Sequence, residues 1–238
     1  MTPDALLAHI DESMLALADA GFAQGQRRFF QHEVDTYGVR TQHLTMLVRE
    51  VYAAVKTWPL AHRNALMKGL WETGKLESGV LVCHVYRRFA RQCTACEFKL
   101  FERWIDRYVH NWAHTDGVSS WLLAACIENE PDLRFALKPW TASKNRWKRR
   151  ASAVSLLQEA KAGRHTDYIF EITALLLPDR DDMVEKGVGW LLKETYPQRP
   201  VETLDFLLRH ETAATRLTLR YAAEKMTPEH RKSLLASH

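Results

Sequence analysis

The sequence predicts an all-α fold, on the evidence of composition and of the spacing of apolar residues. Leu and Ala together number 57 of the 238 residues, whereas Val and Ile number 19. Helix formers are therefore abundant and strand formers scarce. The 10 Gly and 8 Pro leave few tight turns. No stretch shows the period-two alternation that is typical of a half-buried strand.

Apolar residues recur at helical spacing along most of the chain. One stripe comprises Leu44, Leu47, Val48, Val51, Tyr52 and Val55, and a second comprises Phe101, Trp104, Ile105, Tyr108 and Val109. We expect helix boundaries where Gly, Pro or short polar runs interrupt this spacing, among them Gly38, Pro59, Gly74, residues 111–117, Pro131, Gly163, Pro178 and Pro197. About 12 to 14 helices with short connections fit the pattern.

The helices are expected to pair into repeats. Candidate second helices of the pairs begin near Glu77, Asp116, Trp147, Asp182 and Thr215. Their starts are about 30 to 40 residues apart, which is the period of helix-pair solenoids. Such arrays stack into an α-α superhelix with an extended concave face. We therefore expect residues 1–238 to form a single helical-repeat domain.

Composition excludes several classes of protein. Hydrophobic residues make up 46% and charged residues 26% of the chain, which excludes a disordered protein, and no apolar run is long enough to span a membrane. The early residues carry Asp4, Asp11 and Glu12, unlike a secretory signal. Four cysteines suit a reducing compartment. We expect a soluble, cytoplasmic monomer.

Positive charge is concentrated in one segment. Residues 133–158 contain no Asp or Glu and seven Lys or Arg, although the net charge of the whole chain is only +4. Trp140 and Trp147 lie within the segment, and Ser143 is a candidate cap for the helix that follows. The segment is either a phosphate-binding surface or an ordinary solvated face. Arg150 lies in an apolar stripe and must find an anion or reach past the core.

Trp190 and Asp116 each have a functional and a structural interpretation. Trp190 lies off the apolar face of its helix, beside Lys186 and Lys193, and is either a ligand-facing indole or an inter-repeat packing residue. The flanking glycines, residues 187 and 189, indicate close approach of another backbone. Asp116 follows Trp112 by four residues and is either a helix cap or a carboxylate in a concave site.

Two weak metal patterns are present. Cys93 and Cys96 have the spacing of half a zinc site, but no second pair follows. His110 and His114 are four residues apart and could bind a metal with Asp116, but HExxH is absent and we expect the helix to break there. We expect neither a metal nor another cofactor.

These residues resemble the AlkD family of bacterial DNA alkylation-repair glycosylases, which are built of HEAT-like helical repeats. The resemblance runs from the turn at residues 38–41 nearly to the C-terminus. Its most specific parts are Trp112 with Asp116, the helix start at residues 147–151, and residues 189–194. The family's turn usually has Gln where this chain has Arg40.

The resemblance implies a role for each matching residue. Asp116 would be the catalytic carboxylate, Trp112 and Trp190 would pack on the deoxyribose of the damaged nucleotide, and Arg150 would hold the DNA backbone. The other DNA contacts expected from the resemblance and the local charge are Arg40, Thr41, Trp147, Lys148, Arg149, Lys186 and Lys193. The partner would be double-stranded DNA that contains alkylated bases.

The chemistry is consistent with these roles. Purines alkylated at N3 or N7, such as 3-methyladenine and 7-methylguanine, are cationic and good leaving groups, so no general acid is needed. One carboxylate and aromatic faces can stabilise the oxocarbenium-like sugar while water is guided to it. The resemblance further implies action without enclosing the base, which would allow bulky adducts. The alternative function is a non-catalytic repeat protein that binds DNA or a protein partner.

Overall fold

A computed structural model describes residues 1–30 and 33–236, and every regular element in these ranges is helical. The chain divides into two compact units, Met1–Gln92 and Cys93–His238. The single-domain organisation stays a prediction. No helix in the described part of the chain is long and apolar enough to cross a membrane.

Unit 1 contains five α-helices. They are α1 (Pro3–Ala16), α2 (Ala20–Arg27), α3 (Thr41–Val55), α4 (Leu60–Glu72) and α5 (Leu76–Arg87), followed by a 3-10 turn at Ala90–Gln92. The predicted apolar stripe of α3 is confirmed, because Leu44, Leu47, Val48, Val51 and Val55 are all buried. Amphipathic spacing is thus sufficient to orient this helix toward the core of the unit.

A buried carboxylate holds the turn that precedes α3. Glu77, 2% exposed, lies 2.6 Å from the hydroxyl of Thr36. It also accepts hydrogen bonds from the backbone N–H groups of Tyr37, Gly38 and Val39 at 2.8–3.1 Å. Burial of a charge is costly unless it is hydrogen-bonded, and these donors supply that compensation. The start of α3 is therefore tied to α5.

Unit 2 contains the remaining helices. They are α6 (Ala95–Arg107), α7 (Trp112–Gly117), a π-helical segment (Val118–Leu123), α8 (Ala124–Asn129), a 3-10 helix (Pro131–Ala142), α9 (Arg146–Val154), α10 (Leu157–Lys161), α11 (Thr166–Leu176), α12 (Asp182–Thr195), α13 (Pro200–Arg209), α14 (Arg216–Ala222), a 3-10 turn (Ala223–Lys225) and α15 (Pro228–Leu235). Since α7, the π segment and α8 run without a break, the described residues contain fourteen α-helices when these three are counted as one. This number lies within the predicted range.

The predicted repeat spacing agrees with the helix starts. Four of the five candidate second helices begin within one residue of the expected position, as α5, α9, α12 and α14. Asn145, and not Ser143, caps α9, since its side chain accepts from the N–H of Trp147 at 2.9 Å. Ser143 accepts one hydrogen bond from the N–H of Asn145.

The fifth prediction, a helix capped by Asp116, is wrong. The helix begins four residues earlier, at Trp112, because the side chain of Asn111 accepts a hydrogen bond from the N–H of His114 at 2.9 Å. Residues 111–117 are therefore not a break, and Asp116 lies inside the helix. Its carboxylate is consequently not used for capping.

Gly189 allows α12 and α14 to pack closely. A Cβ atom at this position would lie 2.4 Å from Cβ of Tyr221 and 2.9 Å from the carbonyl oxygen of Thr218. The close approach of a backbone that was predicted from this glycine is thus confirmed. A Cβ atom placed at Gly187 would lie 3.2 Å from Cγ of Arg150. This glycine therefore makes room for a side chain and not for a backbone.

Substitution of Gly189 should therefore destabilise the protein. Gly189→Ala is expected to lower the free energy of unfolding by about 1–3 kcal/mol, because overpacking outweighs the gain in helix propensity. Denaturant-induced unfolding measures the change. Gly25→Ala in α2 is the control, since a Cβ there meets no atom within 4 Å and should leave stability unchanged or higher. Equal effects of the two substitutions would contradict the close packing.

Candidate functional site

Asp116 and Arg150 form a bidentate ion pair between α7 and α9. Nε of Arg150 lies 2.8 Å from Oδ1 of Asp116, and Nη2 lies 2.9 Å from Oδ2. The side chain of Arg150 is 7% exposed and that of Asp116 is 17% exposed. Two parallel hydrogen bonds fix the orientation of a carboxylate as well as its position. Asp116 thus presents an oriented carboxylate that still reaches solvent.

Arg150 is also anchored to α12. Its Nη1 donates to the carbonyl oxygen of Met183, and the absent side chain of Gly187 leaves space for its aliphatic part. The sequence analysis predicted that Arg150 either pairs with an anion or extends past the core. In the structure it pairs with Asp116. Arg150 therefore connects the carboxylate on α7 to α12.

The two tryptophans lie on the helix faces that carry this ion pair. Trp112 precedes Asp116 by four residues within one continuous helix, so both occupy one face of it. Trp190 follows Met183 and Gly187 at spacings of seven and three, which places it on the stripe of α12 that meets Arg150. Both indoles are half-buried. Helix geometry thus directs two aromatic side chains toward the region of the oriented carboxylate.

A π-helical segment begins two residues after Asp116, at Val118. The hydroxyl of Ser120 donates a hydrogen bond to the carbonyl oxygen of Asp116 at 2.7 Å. This carbonyl therefore has a side-chain partner at the start of the wider π-helical turn. Single-turn π segments are rare in proteins and occur frequently at functional sites. Nothing in the sequence predicts this segment.

The arrangement is suited to stabilising positive charge. An oriented carboxylate attracts a developing cation, and the faces of indole rings carry negative potential that acts in the same sense. The partly buried setting strengthens both effects relative to water. The charge of the carboxylate is balanced by Arg150.

The basic segment 133–158 is not an uncompensated positive patch. Several of its cations pair with carboxylates from other elements: Arg146 with Asp181 and Asp182, Lys148 with Glu102 and Asp106, Arg149 with Asp179, and Lys138 with Glu171. The physical reason is that packing brings these acids within 4 Å, although none lies within the segment itself. The charge of the segment is therefore largely compensated by acids of other elements. The DNA-binding roles of its residues stay predictions.

Lys148 and Arg149 are held firmly in this network. The Lys148 ammonium lies 2.9 Å from both Glu102 and Asp106, and it sits over the ring of the buried Trp140. Burial opposes the charged form, but the hydrogen bonds to Asp106 and Glu102 outweigh it and raise the pKa of Lys148. Arg149 Nε lies 2.6 Å from Asp179. Both side chains are less than 20% exposed.

The remaining predicted DNA contacts of unit 2 lie at or near the surface. Trp147 is half-buried, and the guanidinium of Arg146 lies 5.1 Å from the centroid of its ring. Lys186 pairs with Asp182 at 3.0 Å, and Lys193 pairs with Glu224 at 2.8 Å. Neither lysine is therefore an isolated charge beside Trp190.

The predicted contacts of unit 1 lie at the start of α3. Arg40 is exposed, pairs with Asp19 at 2.8 Å and lies over the ring of Phe22. A hydrogen bond from the N–H of Phe22, followed by one from Arg40, lowers the pKa of Asp19. Thr41, the first residue of α3, is exposed.

Of the acidic partners in unit 2, Asp106, Asp179 and Asp181 are residues that sequence reasoning missed, whereas Asp116 was already a candidate site residue. Arg149–Asp179, Arg146–Asp181, Arg150–Asp116 and Lys148–Asp106 are separated by 30, 35, 34 and 42 residues. These separations match the repeat period of about 30 to 40 residues. Acidic residues about one repeat away from a basic segment could thus have predicted these ion pairs. The acidic run at residues 179–182 is the clearest example.

The two metal patterns place no metal site among the described residues, where no group of three or more His, Cys, Asp or Glu could hold an ion. Cys93 is buried and Cys96 is exposed. A hydrogen bond with Cys93, followed by burial, raises the pKa of the Cys126 thiol. His110 is exposed, whereas His114 is buried with its Nδ1 3.1 Å from the amide of Asn111.

Comparisons with known proteins support the family and the fold. A family model of DNA alkylation repair enzymes matches residues 10–226, a range that includes Trp112, Asp116, Arg150 and Trp190. Among solved structures, the chain is similar to a predicted DNA alkylation repair enzyme from Enterococcus faecalis. The TM-score is 0.79 at 13% identity, over 89% of this chain and 97% of that one. At this identity the likeness establishes the fold, and it confirms the all-α helical-repeat class.

A search of curated proteins found no match to this sequence. The family model alone covers both units of the chain nearly completely. The chain therefore belongs to the family of DNA alkylation repair enzymes.

Proposed function

We propose that the protein is a monofunctional DNA glycosylase that hydrolyses the N-glycosidic bond of cationic alkylated purines in duplex DNA. Its substrates are 3-methyladenine, 7-methylguanine and bulkier N3 or N7 adducts. It acts as a monomer, without a cofactor, in the cytoplasm on nucleoid DNA.

The observation that carries the proposal is the oriented carboxylate of Asp116, which Arg150 holds through two hydrogen bonds. Trp112 lies one helical turn before it, and Trp190 lies on the helix that also anchors Arg150. A purine alkylated at N3 or N7 leaves as a neutral base, so the reaction needs a stabilised sugar cation and a guided water, but no general acid. Asp116 supplies the negative charge and aligns the water. Trp112 and Trp190 pack on the deoxyribose and stabilise its developing charge.

Arg150 has two roles in this mechanism. It orients Asp116 through Nε and Nη2, which leaves N–H groups of Nη1 and Nη2 to hold a phosphate beside the lesion. A phosphate on those N–H groups shares the positive charge of the guanidinium with Asp116, so the oriented carboxylate is less neutralised where the sugar cation forms.

The DNA backbone is held by residues around this centre. They are Trp147, Lys148, Arg149, Lys186 and Lys193 in unit 2. Arg40 and Thr41 are further DNA contacts on unit 1. The carboxylate partners of the five Lys and Arg residues keep these side chains in place before DNA arrives, so little side-chain entropy is lost on binding. Phosphates then replace these partners or bind beside them.

Release of bases from methylated DNA tests the proposal. Genomic DNA treated with a methylating agent is incubated with the protein, and the free bases are separated by chromatography. We expect 3-methyladenine and 7-methylguanine in the supernatant and abasic sites in the DNA. DNA binding without any released base would contradict the proposal and favour the non-catalytic repeat protein.

A further inference from the structure

Tyr221 is the counterpart on α14 of Trp190 on α12. Trp190 and Lys193 lie three residues apart on α12, and Tyr221 and Glu224 lie three residues apart on α14 and the 3-10 turn that continues it. Residues at this spacing are neighbours on one helix face. Nζ of Lys193 lies 2.8 Å from Oε2 of Glu224, so the two faces adjoin. Tyr221 therefore lies on the surface next to Trp190.

Gly189 brings Tyr221 directly against α12. Cβ of Tyr221 occupies the space that a side chain at residue 189 would need, because a Cβ atom there would lie only 2.4 Å from it. Trp190 is the next residue along the chain. A larger residue than glycine would hold the two helices further apart, and with them Trp190 and Tyr221. Gly189 thus sets the distance between the two aromatic side chains.

The hydroxyl of Tyr221 is available to a ligand. The side chain is half-buried, and its hydroxyl forms no hydrogen bond with the described residues. Trp190 likewise forms neither a hydrogen bond nor a ring contact with them. Four other tyrosine hydroxyls bond to protein groups: that of Tyr37 to Asp11, of Tyr86 to Asn64, of Tyr168 to the carbonyl oxygen of Arg134, and of Tyr196 to His230.

The exposed face of α14 is positively charged. This helix contains no Asp or Glu. Arg216 and Arg220 lie one helical turn apart on it, and both are exposed and form no ion pair with the described residues. Glu224, one turn further on, is neutralised by Lys193. A face with two free cations and an available phenol hydroxyl suits an anionic partner.

We propose that Tyr221 donates a hydrogen bond to a backbone phosphate of the damaged DNA strand and that Arg220 neutralises charge along the same strand. The inference rests on the proposed function, because that function places the damaged deoxyribose at Trp190. Tyrosine hydroxyls and arginines are common donors to phosphate oxygens. Packed helices lie about 8–10 Å apart, which corresponds to about three nucleotides of one strand. The contacted phosphate therefore lies within about three nucleotides of the damaged one.

Tyr221→Phe tests the hydrogen bond with little change in structure. The ring and its packing on Gly189 remain, and the hydroxyl has no partner within the described protein, so the unfolding midpoint should equal that of the wild type. The probe is a duplex with one tetrahydrofuran residue, a stable abasic-site analogue that has no base to release. Its affinity should fall about tenfold, which is the effect of losing one hydrogen bond to a charged group. Fluorescence anisotropy measures the affinity.

Tyr52→Phe is the matched control. Tyr52 is also a half-buried helical tyrosine whose hydroxyl forms no hydrogen bond with the described residues, but it lies in unit 1 with its ring 5.2 Å from that of Phe89. Its substitution should leave the affinity for the same duplex unchanged.

Methylphosphonate substitution locates the contact. Each phosphate within about three nucleotides of the analogue is replaced in turn by a neutral methylphosphonate. One replacement should weaken binding of the wild type but have little further effect on Tyr221→Phe, because the hydrogen bond is already lost. The other replacements should weaken both proteins equally. A purely structural role of the hydroxyl would lower the affinity for every duplex by the same factor.

The salt dependence of binding tests Arg220. Arg220→Met should reduce the slope of log affinity against log salt by about 0.9, the contribution of one phosphate contact. Arg231→Met removes an exposed arginine of α15 and should leave the slope unchanged. Equal slopes for Arg220→Met and the wild type would overturn the role of Arg220.

The outcomes separate this inference from the proposed function. Equal affinities of the wild type and Tyr221→Phe, or the same methylphosphonate pattern in both, would overturn the contact at Tyr221. Failure of the wild type to bind the duplex would overturn the contact and the proposed function together. Failure to release bases affects the proposed function alone, since the probe duplex has no base at the analogue.

Discussion

Asp116→Asn is expected to reduce the release of 7-methylguanine from DNA by at least about 100-fold. The substitution preserves shape and leaves one oxygen to accept from Arg150, but it removes the negative charge that would stabilise the sugar cation. The affinity for DNA should be unchanged or slightly higher, because a negative charge near the phosphates is lost. Single-turnover base release and equilibrium DNA binding measure the two quantities separately.

Asp106→Asn is the matched control for this substitution. Asp106 is also a helical carboxylate that pairs with a cation of α9, Lys148, but Lys148 retains Glu102 as a second partner. Its substitution should leave base release nearly unchanged. If Asp116→Asn and Asp106→Asn behaved alike, the catalytic role of Asp116 would be refuted.

Glu77→Ala is expected to lower the free energy of unfolding by about 3–5 kcal/mol. The substitution leaves the hydroxyl of Thr36 and the three N–H groups of residues 37–39 without their shared acceptor in a buried place. The turn that ends at Arg40 should loosen with it. Denaturant-induced unfolding measures the loss of stability.

Glu72→Ala separates this effect from the loss of a helical glutamate in general. Glu72 ends α4, is exposed, and forms an ion pair with Lys68 four residues earlier. Such surface pairs contribute about 0.5 kcal/mol or less, so the variant should be nearly as stable as the wild type. A loss at Glu77 no greater than at Glu72 would show that the turn does not depend on the buried carboxylate.

The helices and their repeat spacing could be predicted from the sequence because amphipathic periodicity is local information. The starts of α5, α9, α12 and α14 followed from it to within one residue. The start of α7 did not, because Asn111 and Asp116 are equally good caps by residue type. Local preference could not decide between them, and the sequence between the two contains no helix breaker that would have excluded the earlier start.

The ion pairs could be predicted only in part. Arg150 in an apolar stripe demanded an anion, but its identity as Asp116 depends on the packing of α9 against α7. The pairs of Lys148 and Arg149 were missed because charge was counted along the chain, whereas their partners lie about one repeat away. The sequence analysis therefore identified the cations correctly. It overestimated the net positive charge around them, because the acids of other elements were not counted.

The π segment and the buried side chain of Arg63 had no counterpart in the sequence analysis. No Pro or change of apolar spacing marks the start of the π segment at Val118, and Gly117 alone does not predict a π-helical turn. Nothing in the sequence near Arg63 indicates that its guanidinium lies over the rings of Phe89 and Tyr86. Arginine is rarely buried, so the residue type alone predicts an exposed side chain. Its burial follows from the packing of the fold.

The most direct test of the proposed chemistry compares two duplexes that differ in one modified guanine. One contains 7-methylguanine, which is cationic, and the other contains O6-methylguanine, which is neutral. Because the site provides no general acid, we expect the wild-type protein to release 7-methylguanine, leaving an abasic site, and to leave O6-methylguanine in place. Release of both bases at similar rates, or of neither, would contradict hydrolysis driven by Asp116 and the charge of the leaving base.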